Sequence, residues 1–203
     1  MLLAIDSATA ACSAALIDAR GELIEERHEI VGRGHAERLV PMIAELLKGR
    51  RPHAVLVDCG PGSFTGVRVG LAAAHGLAIA WKVPLSGYSS LAALAASVPR
   101  TSGDEVAAVM TGGHGELFVQ NFGGDPLAPL DEVRSLAPEA AAVAVNGRRT
   151  IGSGAEAVAS AGGPGAWQDA LPRAADSRLL PPLLRDLAAR PIYGRLPDAV
   201  PSQ

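Results

Sequence analysis

Apolar positions change their period along the chain, and that change predicts the architecture. Residues 2–5 form a short continuous apolar run. Residues 12–17 form a second, which stops at the turn Asp18-Ala19-Arg20-Gly21. Residues 22–30 read as a third strand whose charges mark an exposed face. Three strands joined by short turns predict an antiparallel meander. From His35 to Lys48 the apolar residues fall at Leu39, Val40, Ile43, Leu46 and Leu47. That contains the i, i+4, i+7, i+8 stripe of an amphipathic helix, with Gly49 as its stop. Pro41 has no N–H to donate, so it belongs near the helix start or kinks the helix.

Residues 54–57 predict a further strand, 58–66 a glycine-rich loop, 64–81 a long helix and 83–86 another strand. Residues 89–97 predict an Ala/Leu helix with Ser89 or Ser90 as its N-cap. The order βββαβαβα makes a mixed sheet with helices packed against it. Residues 99–104 read as a linker. Beyond it, 106–110, 116–122 and 142–145 predict strands, and 154–161 and 178–189 predict helices. The tail from Pro191 reads as extended. The expected organisation is two subdomains, residues 1–100 and a smaller 101–203.

Composition narrows the picture. A chain of 203 residues is long enough to bury a core, and at 48% hydrophobic but 3% aromatic that core must be Ala, Val, Leu and Ile. The net charge of -3 disfavours direct nucleic-acid binding as the main activity, because such binding rests on a basic surface. The pairs Arg50-Arg51 and Arg148-Arg149 read as solvated loop ends. Cys12 and Cys59 lie in apolar runs outside any C-x-x-C pair, as expected of buried, reduced thiols in a cytoplasmic protein. The N-terminus reaches Asp6 after five residues with no basic segment before it, so no signal peptide is expected. Nor is a membrane span of about 18 apolar residues.

The segment Cys59-Gly60-Pro61-Gly62-Ser63-Phe64-Thr65-Gly66 carries the sharpest motif. A glycine loop that opens a helix presents free N–H groups and a positive helix end, which can hold an anion. It reads also, and ahead of that, as a tight turn that lets helix and sheet pack closely. Neither Lys48 nor Lys82 lies in it, so it is no G-x-x-x-x-G-K-[ST] phosphate loop, and it has no G-x-S-x-G elbow. Asp6-Ser7-Ala8-Thr9 reads either as a turn that bonds its own backbone or as an orienter of a phosphate-bound metal. The anion candidates are therefore Asp6, Ser7, Thr9, Gly62, Ser63 and Thr65. Gly66, Gly70 and Gly76 each weaken the helix by roughly 1 kcal/mol relative to alanine, so close approach of a sheet or of a second helix must offset them. His28, His35, His53, His75 and His114 show no i, i+4 spacing and no H-E-x-x-H, so no metal centre is expected. His35-Ala36-Glu37 reads as a helix-start capping pattern. No local feature supports a Ser/His/Asp triad.

Several of these segments together resemble the TsaB family. They are Ala4-Ile5-Asp6-Ser7-Ala8-Thr9, His35-Ala36-Glu37-Arg38-Leu39 running into Pro41-Met42-Ile43, Gly60 through Arg68, Ser89-Ser90-Leu91, and Pro191 through Ala199. The match runs in order along essentially the whole chain, densest over residues 2–95 and thin from about residue 123 to 176. The resemblance implies an α/β actin-like ATPase (ribonuclease H-like, ASKHA) fold of two related subdomains. It implies a role in forming threonylcarbamoyladenosine next to the tRNA anticodon, as a non-catalytic partner of the paralogue TsaD. ATP and metal would sit on partner subunits, the small ATPase TsaE would join, and tRNA would be met only through the complex. A partner surface would draw on His35, Arg38, Leu39, Met42, Ile43, Leu46, Val67, Gly70, Leu71 and Ala74, and could serve a homodimer when the chain is alone. One departure stands out. Where the family shows Asp-Ala-Arg before Gly-Glu-Val-Tyr, this chain reads Thr111-Gly112-Gly113-His114-Gly115-Glu116-Leu117-Phe118. The competing reading is an independent phosphotransferase with Asp6 as base or metal orienter. A glycoprotein endopeptidase would need a metal site or nucleophile that the sequence does not present.

Overall fold

The computed structural model describes residues 1–101 and 103–194. Its first sheet is built around β1 (Leu2–Asp6). On one side β1 pairs antiparallel with β2 (Ala11–Ile17), and β2 with β3 (Leu23–Ile30). On the other it pairs parallel with β4 (Ala54–Asp58), and β4 with β5 (Leu85–Tyr88). The order is β3-β2-β1-β4-β5.

Side chains alternate across this sheet as the period of two requires. Leu3 and Ile5 face α1 (His35–Leu47) and α2 (Phe64–Trp81), meeting Leu39, Met42, Leu46 and Leu71. Ala4 faces the other way, with Ala15 and Ile17, onto Ala174 and Ala175. On α1, Leu39, Met42, Ile43, Leu46 and Leu47 are buried. Pro41 lies mid-helix on the exposed side together with Glu37. The carbonyl it leaves without an N–H therefore reaches water, and the helix tolerates it. Lys48, at φ 48°, and Gly49, at φ 79°, close the helix in the left-handed conformation. By length and composition α2 would pass for a membrane span; here one face of it lies in the core against β1 and β4.

The second sheet repeats the plan. β6 (Val106–Thr111) takes the part of β1, antiparallel to β7 (Leu117–Gly123) and parallel to β10 (Arg149–Ile151), with β11 (Trp167–Gln168) beyond. The short β8 (Ala128–Pro129) and β9 (Arg134–Leu136) both pair with β7. Helices α4 (Pro138–Ala144) and α5 (Ala155–Ser160) cover the outer face, as α1 and α2 do in the first sheet. Between the sheets runs α3 (Ser90–Ser97), whose Leu91 and Leu94 meet Leu56 on one side and Val106, Ala108 and Met110 on the other. The first unit runs βββαβαβ and the second ββββαβαβ, and the two packed this way form the actin-like arrangement.

Three expectations need correction and a fourth is met in part. Residues 142–145 fall in the end of α4 and in its C-cap rather than in a strand; so short an apolar run carries no decisive period, and Pro138 starts a helix there. Residues 178–189 are not an α-helix. Pro181 and Pro182 interrupt them, leaving 3-10 turns at Ala174–Leu179 and Pro182–Arg185. Ser89 does stand at the N-cap of α3, but its hydroxyl makes no capping hydrogen bond. His35 does not cap α1 but is buried, its Nε2 lying 3.2 Å from the Ala11 carbonyl. The tail motif beyond Gly194 lies outside the described residues.

Candidate functional site

The carboxyl ends of β1 and β4 mark the point where strand order reverses from the middle of the sheet. Open α/β sheets hold ligands in the crevice at such a point. In this chain protein fills it. Ser63 donates its N–H to the Ala8 carbonyl at 2.7 Å. A Cβ on Gly62 would lie 2.2 Å from that same oxygen, and one on Gly70 would lie 2.5 Å from Ser7 Oγ. Ser7 Oγ donates to the Gly66 carbonyl at 2.9 Å. Gly66 and Gly70 of α2, with Gly62 just before it, are thus a seat for the β1–β2 turn, and close packing explains them. Gly76 has nothing within 4 Å of its missing Cβ and takes no part. Ser63 does cap the helix, accepting from Gly66 N at 3.2 Å.

Outside this seat, a cleft separates the two units. One wall carries Ala8, Thr9, Gly62, Ser63 and Phe64, and the other Thr111, Gly112, Gly113 and Ser153. None of the residues lining this part of the cleft is ionisable; past Gly62, Phe64 and Gly113 it continues into a cavity lined by Arg68, His114, Glu116 and Tyr193. Of the anion candidates, Thr9, Gly62 and Ser63 meet on the cleft wall, while Asp6 and Ser7 are buried behind it. Thr65 is exposed and does not line the cleft. The Gly112-Gly113 pair adds only backbone to the wall facing Ser63, beside the hydroxyls of Thr111 and Ser153, which lie 3.2 Å apart. Among the described residues no cluster of three or more His, Cys, Asp or Glu side chains suits a metal.

Asp6 has a partner that its own segment does not reveal. Asp58, the last residue of β4, is 2% exposed and Asp6 is 1% exposed, and the two end adjacent parallel strands one step beyond the Ile5–Val57 register pair. Asp58 also accepts Ser90 Oγ at 2.6 and 2.8 Å and Gly60 N at 2.8 Å. Asp6 Oδ1 accepts Ala8 N at 3.0 Å. Burial, and then the neighbouring Asp58, push Asp6 well above the usual carboxylate range. Burial pushes Asp58 up as well, against the pull of its Ser90 and Gly60 hydrogen bonds. The turn reading of Asp6 is right as far as it goes. The sequence signal for the pair was Asp58 itself, an acid ending a buried apolar run.

The surface candidates on α1 and α2 mostly face inward. His35, Leu39, Met42, Ile43, Leu46, Val67, Gly70, Leu71 and Ala74 are buried in the chain's own core. Arg38 is half-buried, bridging Glu29 at 2.5 Å and Glu45 at 2.8 Å. The outward positions include Val40, Pro41 and Ala44 on α1, beside Glu37 and Glu45, and Ala72, Gly76 and Ile79 on α2, beside His75. Val40 is 54% and Ile79 76% exposed, a large apolar share for helices that also pack against one another.

Comparison with known proteins agrees with this geometry. The model of the family described as "TsaD: tRNA N6-adenosine threonylcarbamoyltransferase" matches residues 24–144. The chain is 36% identical over 123 residues to the tRNA threonylcarbamoyladenosine biosynthesis protein TsaB of Escherichia coli, covering 58% of this chain and 52% of that protein. It therefore spans about half the length of that relative. An uncharacterized protein of Mycobacterium tuberculosis is 33% identical over 98% of this chain and 94% of its own length. The solved structure of YeaZ from Pseudomonas aeruginosa superimposes with a TM-score of 0.80 at 30% identity, covering 95% of this chain and 98% of that one. The class is thus an α/β, actin-like fold of two units, each a mixed sheet flanked by helices. Within it, the chain belongs to the TsaD family of the matching model, in its TsaB/YeaZ branch.

Proposed function

We propose that this chain is a non-catalytic subunit that binds and supports TsaD in forming N6-threonylcarbamoyladenosine next to the tRNA anticodon. The observation that carries this reading is that the part of the cleft at the end of β1, from Thr9 and Ser63 across to Thr111 and Ser153, holds no ionisable side chain. Phosphoryl or carbamoyl transfer needs charge placed against the charge that develops in the transition state. The carboxylate that the fold offers at the end of β1 is buried in the protein beside Asp58. ATP and any metal then belong to partner subunits, TsaE joins the assembly, and tRNA is met through the complex in the cytoplasm. The outward apolar faces of α1 and α2 are the docking surface, and in the absence of TsaD they support a homodimer. The test is calorimetry and pull-down with the purified chain. It should capture TsaD, bind no ATP at micromolar concentration, and leave tRNA unmodified when alone. ATP turnover abolished by Asp6→Ala would replace this reading with an independent phosphotransferase.

A further inference from the structure

We infer that Asp6 and Asp58 share one proton, and that this proton clamps α3 and the glycine loop to the first sheet. The two residues end adjacent parallel strands, one step beyond the Ile5–Val57 register pair. Asp6 Oδ2 is buried and, as an ionised oxygen, has no donor to accept from. Protonated, it donates to Asp58, which is the arrangement that satisfies both groups. The ionisable groups set against the pair from the packed elements are Asp176 on the 3-10 turn, Cys12 on β2, Cys59 after β4 and Tyr88 on β5. All of them are acids. Two buried anions in contact, surrounded only by acids, would repel with nothing to offset them.

The pair's hydrogen bonds reach three segments: Ala8 N in the β1–β2 turn, Gly60 N in the glycine loop, and Ser90 at the start of α3. The first two build one wall of the cleft, and α3 is the helix that packs between the sheets. Loss of the shared proton puts a second charge at their common anchor. The wall and the helix start then loosen together, and the rest of the sheet stays paired. The result is a proton-dependent clamp on the cleft wall, independent of whether the chain acts with TsaD.

Two measurements on the full chain test it. In the wild type with carboxyl-labelled aspartate, carbon NMR should show one aspartate carboxyl still in the acid form at pH 7. Every aspartate ionised at that pH would overturn the inference. Hydrogen exchange at Ala8, Gly60 and Ser90, corrected for the intrinsic rate, should lose protection above neutral pH by up to about tenfold per unit. In Asp6→Asn the carboxamide N–H keeps the bond to Asp58 without a titrating proton, so this loss should vanish. The same slope in Asp6→Asn as in the wild type, or no loss in the wild type, would also overturn it. Should Asp6→Asn fail to fold, the wild-type NMR and exchange results decide alone.

Discussion

A Cβ placed on Gly66 would lie 2.1 Å from the carbonyl oxygen of Ser7, closer than any atom can stand. Ser7 also holds the Gly66 carbonyl through its hydroxyl, so neither side can retreat cheaply. Gly66→Ala should therefore destabilise the chain by about 1–3 kcal/mol, the usual range for overpacking, despite alanine's better helix propensity. Gly76, on the same helix, has nothing within 4 Å of its missing Cβ. Gly76→Ala should stabilise by roughly 0.5–1 kcal/mol. Urea midpoints of the two variants should move in opposite directions; movement in the same direction would contradict this account of α2.

The same contrast separates folding from docking. Gly70 is buried with its missing Cβ 2.5 Å from Ser7 Oγ, so Gly70→Arg should abolish the native fold rather than block a partner. Ile79→Arg changes a side chain that is 76% exposed. Its circular dichroism should match the wild type, while capture of TsaD falls by tenfold or more, on the order expected for an apolar anchor at an interface. Unchanged capture by a folded Ile79→Arg would move the interface away from these helices.

Much of the first unit was legible because its periods are long enough to read. The 13 residues of α1 and the 18 of α2 each show a buried stripe, and β1 and β2 are apolar on both faces because both faces are covered. The second unit was harder. Strands such as Arg134–Leu136, Arg149–Ile151 and Trp167–Gln168 are too short to show alternation. They exist because the sheet supplies their partners. At the site, the glycine loop announced itself through its spacing, but its meaning depended on Ser7, 59 residues away in the chain. The Asp6–Asp58–Ser90 cluster joins three segments that no local pattern connects. The inward turn of Leu39 and Met42 was readable as a stripe; that the stripe serves this chain's own sheet was not.

Stability should depend on pH from both ends. Hydrogen bonds from Lys48 hold Glu25 below its usual range, and those from Arg38 do so for Glu29 and Glu45. Groups lowered in the folded state stabilise it above their unfolded values, and that stability is lost as pH falls through their folded values. Asp58 has the opposite sign. Burial pushes it up to about 6, so its contribution is present below the unfolded value near 3.8 and is lost as pH rises through the folded one. The urea midpoint should therefore peak at about pH 4 to 5 and decline through pH 6, the Asp58 contribution being spent above it. A midpoint that rises steadily from about pH 4.5 to 6.5 would contradict the assignment of Asp58.

The two thiols offer a check on the core that needs no variant. Cys12 and Cys59 are free and buried. Burial, and then the nearby carboxylates, push Cys12 up to about 11 and Cys59 up to about 12. The thiolate is the reactive form, so at pH 8 the native chain should hold a negligible thiolate fraction at either position, behind a closed surface. Cys59 is further enclosed by the C-terminal segment: its carbonyl accepts the Ile192 N–H at 2.8 Å, and its Sγ lies 3.7 Å from the Ala188 carbonyl. A disulfide reagent should therefore label neither thiol in the folded chain within minutes and both on addition of denaturant. Labelling at one thiol before global unfolding, assigned by mass spectrometry, would identify which layer opens first. Cys59 should be the earlier, because its cover includes a segment held by few backbone bonds, whereas Cys12 lies in β2 between β1 and β3. Cys12 reacting first, at a denaturant concentration where Cys59 stays protected, would show that the first sheet opens from its β3 edge instead.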